Sequence, residues 1–285
     1  TKKDAIYDTI KLEYPTKDEV KNLLLKLGDR AHSLSTIVKP VKEEWNDDQE
    51  TVDNLLALKS LSDGGLNPIL LLGKEKFDSN PIAMKKLISL TTKLFFRAKT
   101  VCSVNYSDIE RLVDAICRLL RNDKEATVDD VQKMMVEWTQ YPDDPIFELN
   151  FKKLELPQAK AKYALQEIHF EMVGGQHSSS GAISNRIEVE HIMPQKISPG
   201  STWEEFIINK KGKTTPLEID EYHKEFVNKL GNMTLLNKTR NQSLSNDSFE
   251  KKKEMYAKDS LEITKRLADV PEWDDSTIMT RQGQF

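Results

Sequence analysis

The chain has 285 residues, of which 38% are hydrophobic and 31% are charged, and this balance is typical of a globular protein that buries a sizeable core. Its formal net charge is −4, which excludes a protein that is basic over its whole surface, so any contact with nucleic acid must come from local clusters of lysine and arginine. No apolar run reaches the roughly 18 residues that a membrane-spanning helix requires.

The cysteine content points to a reducing compartment. Cys102 and Cys117 are the two cysteines of the chain and lie in sequence with helical periodicity, so we expect two reduced core thiols in a cytoplasmic protein rather than a disulfide. Two cysteines also exclude a four-cysteine zinc site. The chain has no basic and then apolar leader, so nothing in it argues for export. It opens on Thr1 without an initiator methionine, which points to a fragment of a longer protein.

Residues 1–155 carry helix signals throughout, and we expect a helical bundle there. Side chains that cap helix N-termini, each followed by an apolar stripe of helical spacing, predict helix starts at Thr16, Asp47 or Asp48, Asn67, Asn80, Ser107 and Thr127. Gly28 is the expected end of the helix that starts at Thr16. His32 has no companion histidine or cysteine at ligand spacing, so this half carries no predicted site for chemistry.

The second half, residues 156–285, starts with a predicted helix from Pro157 to Val173, whose apolar residues fall on one stripe. Residues 176–185 follow it and are rich in serine and glycine, so they should form a flexible loop. His177 lies in this loop and is expected to play no part in chemistry.

Two short apolar runs predict a β-hairpin. From Ile187 to Ile192 apolar and polar side chains alternate, which is typical of a strand with one buried face. Pro194 ends the pairing because proline has no N–H to donate. Met233 to Leu236 is the expected partner strand. A helix that starts at a capping box of Asp247 and Glu250 should follow.

The residues that could carry chemistry lie at the end of the first strand. Glu190 and His191 are adjacent there, and asparagine-rich sequence returns after the second strand. A carboxylate and an imidazole in this arrangement point to a ligand for a hard cation beside a proton acceptor. A single histidine at a strand end is otherwise commonly structural. Gly231, just before the second strand, is expected in a turn with positive φ.

Lysine and arginine concentrate around these runs, at Lys210, Lys211, Lys213, Lys238, Arg240 and Lys251 to Lys253. Local positive charge of this kind can bind the phosphates of nucleic acid although the whole chain is acidic. Residues 251–253 taken alone would equally form a solvated helix face.

The order and spacing of these residues resemble a known nuclease core. The matching positions are Glu190 to Gln195, Trp203, Leu230 to Leu236, Asn241, Phe249, Lys252, Lys253 and Tyr256. Together they resemble the ββα-metal (HNH) core, in the variant that forms the C-terminal half of GmrSD-type and SspE-type modification-dependent DNA restriction proteins. A match of this length and order points to one family far more specifically than a histidine and a proline at fixed spacing would.

The resemblance implies a mainly α fold with a small α+β part: an N-terminal helical bundle or connector domain in residues 1–155, then an HNH-type nuclease domain with helical embellishments in residues 156–285. It implies a metal-dependent DNA endonuclease that nicks or cleaves invading double-stranded DNA, within a cytoplasmic restriction system of antiviral defence. The implied cofactor is one divalent metal ion, Mg²⁺ or Mn²⁺. The implied partner besides DNA is an N-terminal nucleotide-hydrolysing sensor module, whose Asp-Gly-Gln-Gln-Arg signature this chain lacks. A homo-oligomer is a further possibility.

By the same resemblance, taken position by position, His191 is the general base that activates a water molecule. Glu190 is a metal ligand, and Asn241 is the other expected ligand and a catalytic residue. Asn232 is expected to take part in catalysis by orienting His191, or else to fix the hairpin. The expected phosphate contacts are Lys238, Arg240 and Lys252.

Two departures from the family pattern leave alternatives open. The carboxylate before the base is usually aspartate, and the glutamate at position 190 reaches one carbon further. The final histidine of the motif is replaced by Asn241, which favours Mg²⁺ or Mn²⁺ over zinc. The assigned roles could instead fall to Asn237, Asn246 or Lys252. A catalytically silent module that docks to DNA or to a partner protein, and a nuclease that acts on RNA, are the alternative functions.

Overall fold

The computed structural model describes residues 2–62, 64–174, 187–239 and 246–285. Within these ranges the fold is mainly helical with one small antiparallel sheet, as the sequence predicted. The α-helices are α1 (Lys2–Glu13), α2 (Lys17–Val38), α3 (Gln49–Leu61), α4 (Asn67–Lys76), α5 (Pro81–Phe95), α6 (Tyr106–Asn122), α7 (Val128–Val136), α8 (Asp144–Phe151), α9 (Gln158–Met172), α10 (Thr202–Lys211), α11 (Pro216–Val227), α12 (Phe249–Tyr256), α13 (Glu262–Lys265) and α14 (Asp275–Gln284). The strands are β1 (Ile187–His191) and β2 (Met233–Asn237). Among the described helices, none has the length and apolar character needed to cross a membrane.

The chain divides into two compact units, the first of residues 1–99 and 103–141 and the second of residues 100–102 and 142–285. This division lies earlier than the expected boundary at residue 155, because α8 and the segment after it are bonded into the second unit. The Gln282 side chain donates hydrogen bonds to the carbonyl oxygens of Phe151, Lys152 and Leu154 at 3.1, 3.2 and 2.9 Å. The two expected domains, residues 1–155 and 156–285, stay a prediction.

The first unit contains α1 to α7, and the starts of α2, α3, α5 and α7 follow local capping chemistry. The capping expected at Asn67 and Ser107 is wrong, because no side chain caps α4 or α6. Thr16 and Thr127 each form a capping box, and the Asn80 side chain caps α5, as predicted. The expected helix end at Gly28 is wrong, since α2 continues to Val38. An exposed glycine inside a helix costs only about 1 kcal/mol relative to alanine, which is too little to stop a long helix.

Apolar stripes of α3 to α7 form the core of this unit. Leu55, Leu87 and Ile116, from three different helices, are at most 2% exposed. Cys117 is buried on α6, and burial raises the pKa of its thiol. Cys102 and Cys117 are not joined by a disulfide.

The second unit is built around the two-stranded sheet. β1 and β2 are antiparallel, with Ile187 opposite Asn237 and His191 opposite Met233. The insertion between the strands contains α10 and α11, while α9 packs against both strands and α13 packs against β2. Because the pairing ends at His191, this side chain lies where the chain leaves the sheet.

Helix α12 packs on the same core. Phe249 and Tyr256 are 7% and 0% exposed, which confirms that these two positions form the buried face of the helix. The helix begins after Ser248, so the predicted capping box that starts at Asp247 is wrong. Asp247 is engaged differently: its backbone carbonyl accepts the indole N–H of Trp203 at 2.9 Å.

Candidate active site

His191 is the last residue of β1 and is only 5% exposed. Its ring Nε2 is buried and has no hydrogen-bond partner in the part of the chain that the structure describes. Burial, together with the positive charge of Lys252 and the neighbouring His223, lowers the pKa of His191 to about 4. The imidazole is therefore neutral at pH 7 and can accept a proton on one ring nitrogen.

The neighbouring Glu190 forms a buried ion pair with Lys252. The Lys252 Nζ lies 2.6 Å from Glu190 Oε1, and the two side chains are 0% and 7% exposed respectively. The Tyr256 hydroxyl donates a hydrogen bond to the same oxygen at 3.4 Å. Burial raises the pKa of Glu190 and lowers that of Lys252, while the contact between them opposes both shifts.

Lys252 also binds the backbone that follows the strand. Its ammonium donates to the carbonyl oxygens of His191 at 2.9 Å and Ile192 at 3.1 Å. An ammonium has three N–H groups, and these two carbonyls together with Glu190 accept all three. A phosphate contact was expected of Lys252, whereas the structure places it in the interior with its donors taken by the protein.

Asn232 lies in the turn before β2 and is fully buried. Its side-chain oxygen accepts the Met193 amide at 2.8 Å and the Trp273 indole N–H at 3.0 Å. Its side-chain nitrogen donates to the carbonyl oxygens of Met193 at 2.9 Å and Val227 at 3.1 Å. These four bonds use the full capacity of a primary amide. In this geometry Asn232 fixes the hairpin, the second of its two expected roles.

Helix α14 holds this turn from its other side. Arg281 Nη1 donates to the carbonyl oxygens of Gly231 at 2.7 Å and Met233 at 2.6 Å, and the Gln282 side chain accepts the Gly231 amide at 3.1 Å. The expected positive φ at Gly231 is wrong, because its φ lies outside the left-handed region. Glycine is required there for space instead, since a Cβ would overlap the carbonyl oxygen of Ile278.

The remaining expected site residues are not gathered at His191. Lys238 lies at the far end of the hairpin, where its Nζ is 3.2 Å from Glu188 Oε1. Arg240 and Asn241 lie outside the described residues. The side chain of Asn237 accepts the Thr239 amide at 3.1 Å.

Several lysines of the basic cluster are paired with carboxylates. Lys210 lies 3.0 Å from Glu272, and Lys251 lies 3.6 Å from Asp247. Lys211 contacts both Asp274 and Asp275. Carboxylates of the second unit therefore partly neutralise these lysines. This weakens the electrostatic attraction of the cluster for phosphate.

The groups that could hold a metal ion centre on Glu190. Within the described ranges no three histidine, cysteine or acidic side chains come together in a way that would hold an ion. Glu190 supplies one carboxylate, and Asn241 lies outside those ranges. Mg²⁺ commonly keeps several waters and takes only one or two carboxylates from the protein. A donor set of one carboxylate and one amide oxygen therefore fits such a hard cation in chemistry, although Lys252 already neutralises the carboxylate.

Sequence reasoning missed three residues that bond to this region. His223 on α11 binds the Pro194 carbonyl with its Nε2 at 2.8 Å, and Trp273 and Arg281 bind the turn around Asn232. All three lie 29 to 50 positions from their partners along the chain. No local periodicity signals contacts of this kind, so only the folded structure identifies them.

Comparison with known proteins gives one finding. The family model described as the C-terminal domain of GmrSD restriction endonucleases matches residues 141–285, which is just over half of the chain and includes residues 142–285 of the second compact unit. A search of curated proteins returns no match.

Proposed function

Since this chain belongs to the family of GmrSD restriction endonucleases through the C-terminal domain of that family, we propose that it is a metal-dependent DNA endonuclease of restriction-type antiviral defence. In this proposal β1, β2 and α12 form a ββα-metal (HNH) core. His191 acts as the general base: it removes a proton from a water molecule that attacks a phosphodiester of double-stranded DNA.

One observation carries the proposal: His191 Nε2 is buried without a hydrogen-bond partner among the described residues. An unpaired buried polar atom costs about 1–3 kcal/mol, and a catalytic role is one of the explanations for such an exception in a folded protein. The nearby Asn232 satisfies its whole amide. A neutral and unpaired ring nitrogen is the group that proton removal from water requires.

The remaining roles follow the family motif. Glu190 and Asn241 would hold one divalent ion, Mg²⁺ or Mn²⁺, which when bound supplies charge stabilisation at the phosphate and at the leaving oxygen. Lys238 and Arg240 are the proposed phosphate contacts, since Lys252 is occupied inside the protein. A nucleotide-hydrolysing sensor module at the N-terminal side is the proposed partner in a cytoplasmic system.

A second candidate is a silent module that docks to DNA or to a partner protein. Two observations favour it: the ammonium of Lys252 already neutralises Glu190, and His191 is only 5% exposed although a base must meet water. The two candidates differ in whether DNA is cut.

The test is incubation of supercoiled plasmid with the full chain and either Mg²⁺ or Mn²⁺. We expect nicking that disappears with a chelator and in His191→Ala. His32→Ala serves as the control, because His32 is an exposed histidine of α2. Equal nicking by the wild type and His191→Ala would remove the base assignment. Binding of plasmid without nicking under either ion would favour the silent module.

A further inference from the structure

The turn that follows β1, residues 191–194, is held by side chains from three separate parts of the second unit. Lys252 of α12 donates to the carbonyl oxygens of His191 and Ile192. Asn232 binds both the amide and the carbonyl of Met193 with its side chain. His223 of α11 binds the carbonyl of Pro194 at 2.8 Å.

A backbone bond completes this set, since the Ile192 amide donates to the carbonyl oxygen of Asn232 at 2.9 Å. Every backbone polar group from the carbonyl of His191 to the carbonyl of Pro194 therefore has a protein partner. Turns after a strand end are usually solvated or bonded to their own backbone. Here only the Ile192 amide is bonded to the backbone. The other backbone groups of the turn are bonded to the side chains of Lys252, Asn232 and His223.

We propose that His223 and Lys252 are positioning residues, which together with Asn232 lock the turn of residues 191–194 and so fix the place of the His191 ring. This inference rests on the proposed nuclease function, because it assigns these residues to the orientation of the proposed base. The ammonium of Lys252 joins a side chain to the backbone of the turn. It pairs with the Glu190 carboxylate and also donates to the carbonyl oxygens of His191 and Ile192.

The chemistry of the His223 contact defines the tautomer of its ring. A carbonyl oxygen only accepts, so Nε2 of His223 must carry the hydrogen. His223 is half-buried on the helix that the long insertion supplies between the two strands. The insertion is thereby tied to the segment next to the proposed base. Displacement of a catalytic group by about 1 Å can lower the rate about a hundredfold. A contact that holds the segment next to the proposed base can therefore affect the rate of cleavage.

The test compares two substitutions at His223. His223→Leu removes the donor to the Pro194 carbonyl, whereas His223→Gln retains an N–H near the position of Nε2. We expect His223→Leu to lower kcat for plasmid nicking about tenfold with KM for DNA nearly unchanged, because a lost bond of about 1.4 kcal/mol is a factor of ten. His223→Gln should recover most of this loss.

Tyr222→Phe is the matched control. Tyr222 precedes His223 on the same helix, and its hydroxyl bonds to Asp275 rather than to the turn. It should leave kcat unchanged, whereas a merely structural role of the helix would make Tyr222→Phe as damaging as His223→Leu. Equal kcat in the wild type and His223→Leu, or equal losses in the Leu and Gln variants, would overturn the positioning role.

Hydrogen exchange provides a readout that does not depend on activity. We expect the Met193 amide to exchange about tenfold faster in His223→Leu than in the wild type, and near the wild-type rate in His223→Gln and Tyr222→Phe. Unchanged exchange in His223→Leu would contradict the lock even in an inactive protein. If the wild-type chain never nicks DNA, faster exchange in His223→Leu would still support the lock while the nuclease proposal is rejected.

Discussion

The side chain of Asn232 and the backbone of Met193 bind each other in both directions: the Met193 amide donates to Oδ1 at 2.8 Å, and Nδ2 donates to the Met193 carbonyl at 2.9 Å. This pair joins the turn before β2 to the turn after β1. The Trp273 indole N–H donates to the same Oδ1 at 3.0 Å, so the orientation of the amide also depends on a residue near the C-terminal helix.

Removal of the Trp273 donor should therefore affect the proposed site more than removal of a similar donor elsewhere. Trp203→Phe is the comparison, because Trp203 is also buried and donates its N–H to a backbone carbonyl, that of Asp247. We expect both substitutions to Phe to lower the free energy of unfolding by about 1–2 kcal/mol through the lost hydrogen bond and contacts. Plasmid nicking at a temperature where both variants are folded should fall only in Trp273→Phe. Equal losses of activity in the two variants would show that the Trp273 hydrogen bond has no specific effect on the proposed site.

Lys252→Met should be much more destabilising than Lys251→Met, although the two residues are neighbours on α12. Lys252 is fully buried in its pair with Glu190, and loss of one partner of a buried pair costs about 3–5 kcal/mol. Lys251 is exposed beside Asp247, and exposed pairs contribute about 0–1 kcal/mol. Urea unfolding measures both free energies. Lys252→Met combined with Glu190→Gln should recover part of the loss, and a similar small effect of both lysine substitutions would show that the pair is solvated.

The contrast between these two lysines explains where sequence reasoning succeeded and where it failed. The positions of the strands, the cap of α5 and the buried positions of α12 were predictable because capping, alternation and helical periodicity are local. The single buried face expected for β1 is wrong, since the consecutive residues Val189, Glu190 and His191 are all buried. Helical periodicity places Lys251 opposite the buried stripe of Phe249 and Tyr256, but it puts Lys252 and Lys253 at similar angles on either side of that stripe, so it does not state which of these two turns inwards. Lys252 was expected at the surface as a phosphate contact, and its three acceptors lie about sixty positions earlier in the sequence.

Gly231 illustrates a different limit. A glycine before a strand suggests a special backbone angle, but the requirement here is space beside Ile278, which lies on a helix near the end of the chain. His223 was missed for a related reason, since its partner is a backbone carbonyl that carries no sequence signal. The sequence shows that Glu190 and His191 are adjacent. It does not show that Glu190 pairs with Lys252 or that the His191 ring is buried.

Gly231→Ala should therefore lower stability, because the added methyl group forces α14 away from the turn. Overpacking of this kind costs about 1–3 kcal/mol. Gly283→Ala on α14 is the control: an added Cβ would meet no atom within 4 Å, so this substitution should be neutral or raise stability by up to about 1 kcal/mol through helix propensity. Urea unfolding compares the two. A Gly231→Ala variant as stable as the wild type would mean that the helix can shift freely.

His169 should make the stability of the protein depend on pH. This residue of α9 is 6% exposed, and its Nδ1 has no hydrogen-bond partner among the residues described. Burial lowers the pKa of His169, although the negative charges of Glu262 and Asp259 oppose the shift. The unfolded chain then binds a proton at the ordinary pKa of about 6.5, while the folded chain binds it only at lower pH. Unfolding takes up protons in that interval, so stability falls as the pH decreases below about 6.5.

The expected result is a smaller loss of stability in His169→Leu than in the wild type when the pH is lowered from about 7.5 to about 5.5. Each pH unit between the two pKa values contributes at most about 1.4 kcal/mol to the difference. Urea unfolding at both pH values measures it. His32→Leu is the control for the loss of an exposed histidine, since the His32 side chain is 68% exposed, and the difference in His169→Leu should exceed any difference in this variant. The same pH dependence in His169→Leu and the wild type would contradict a neutral buried imidazole at position 169.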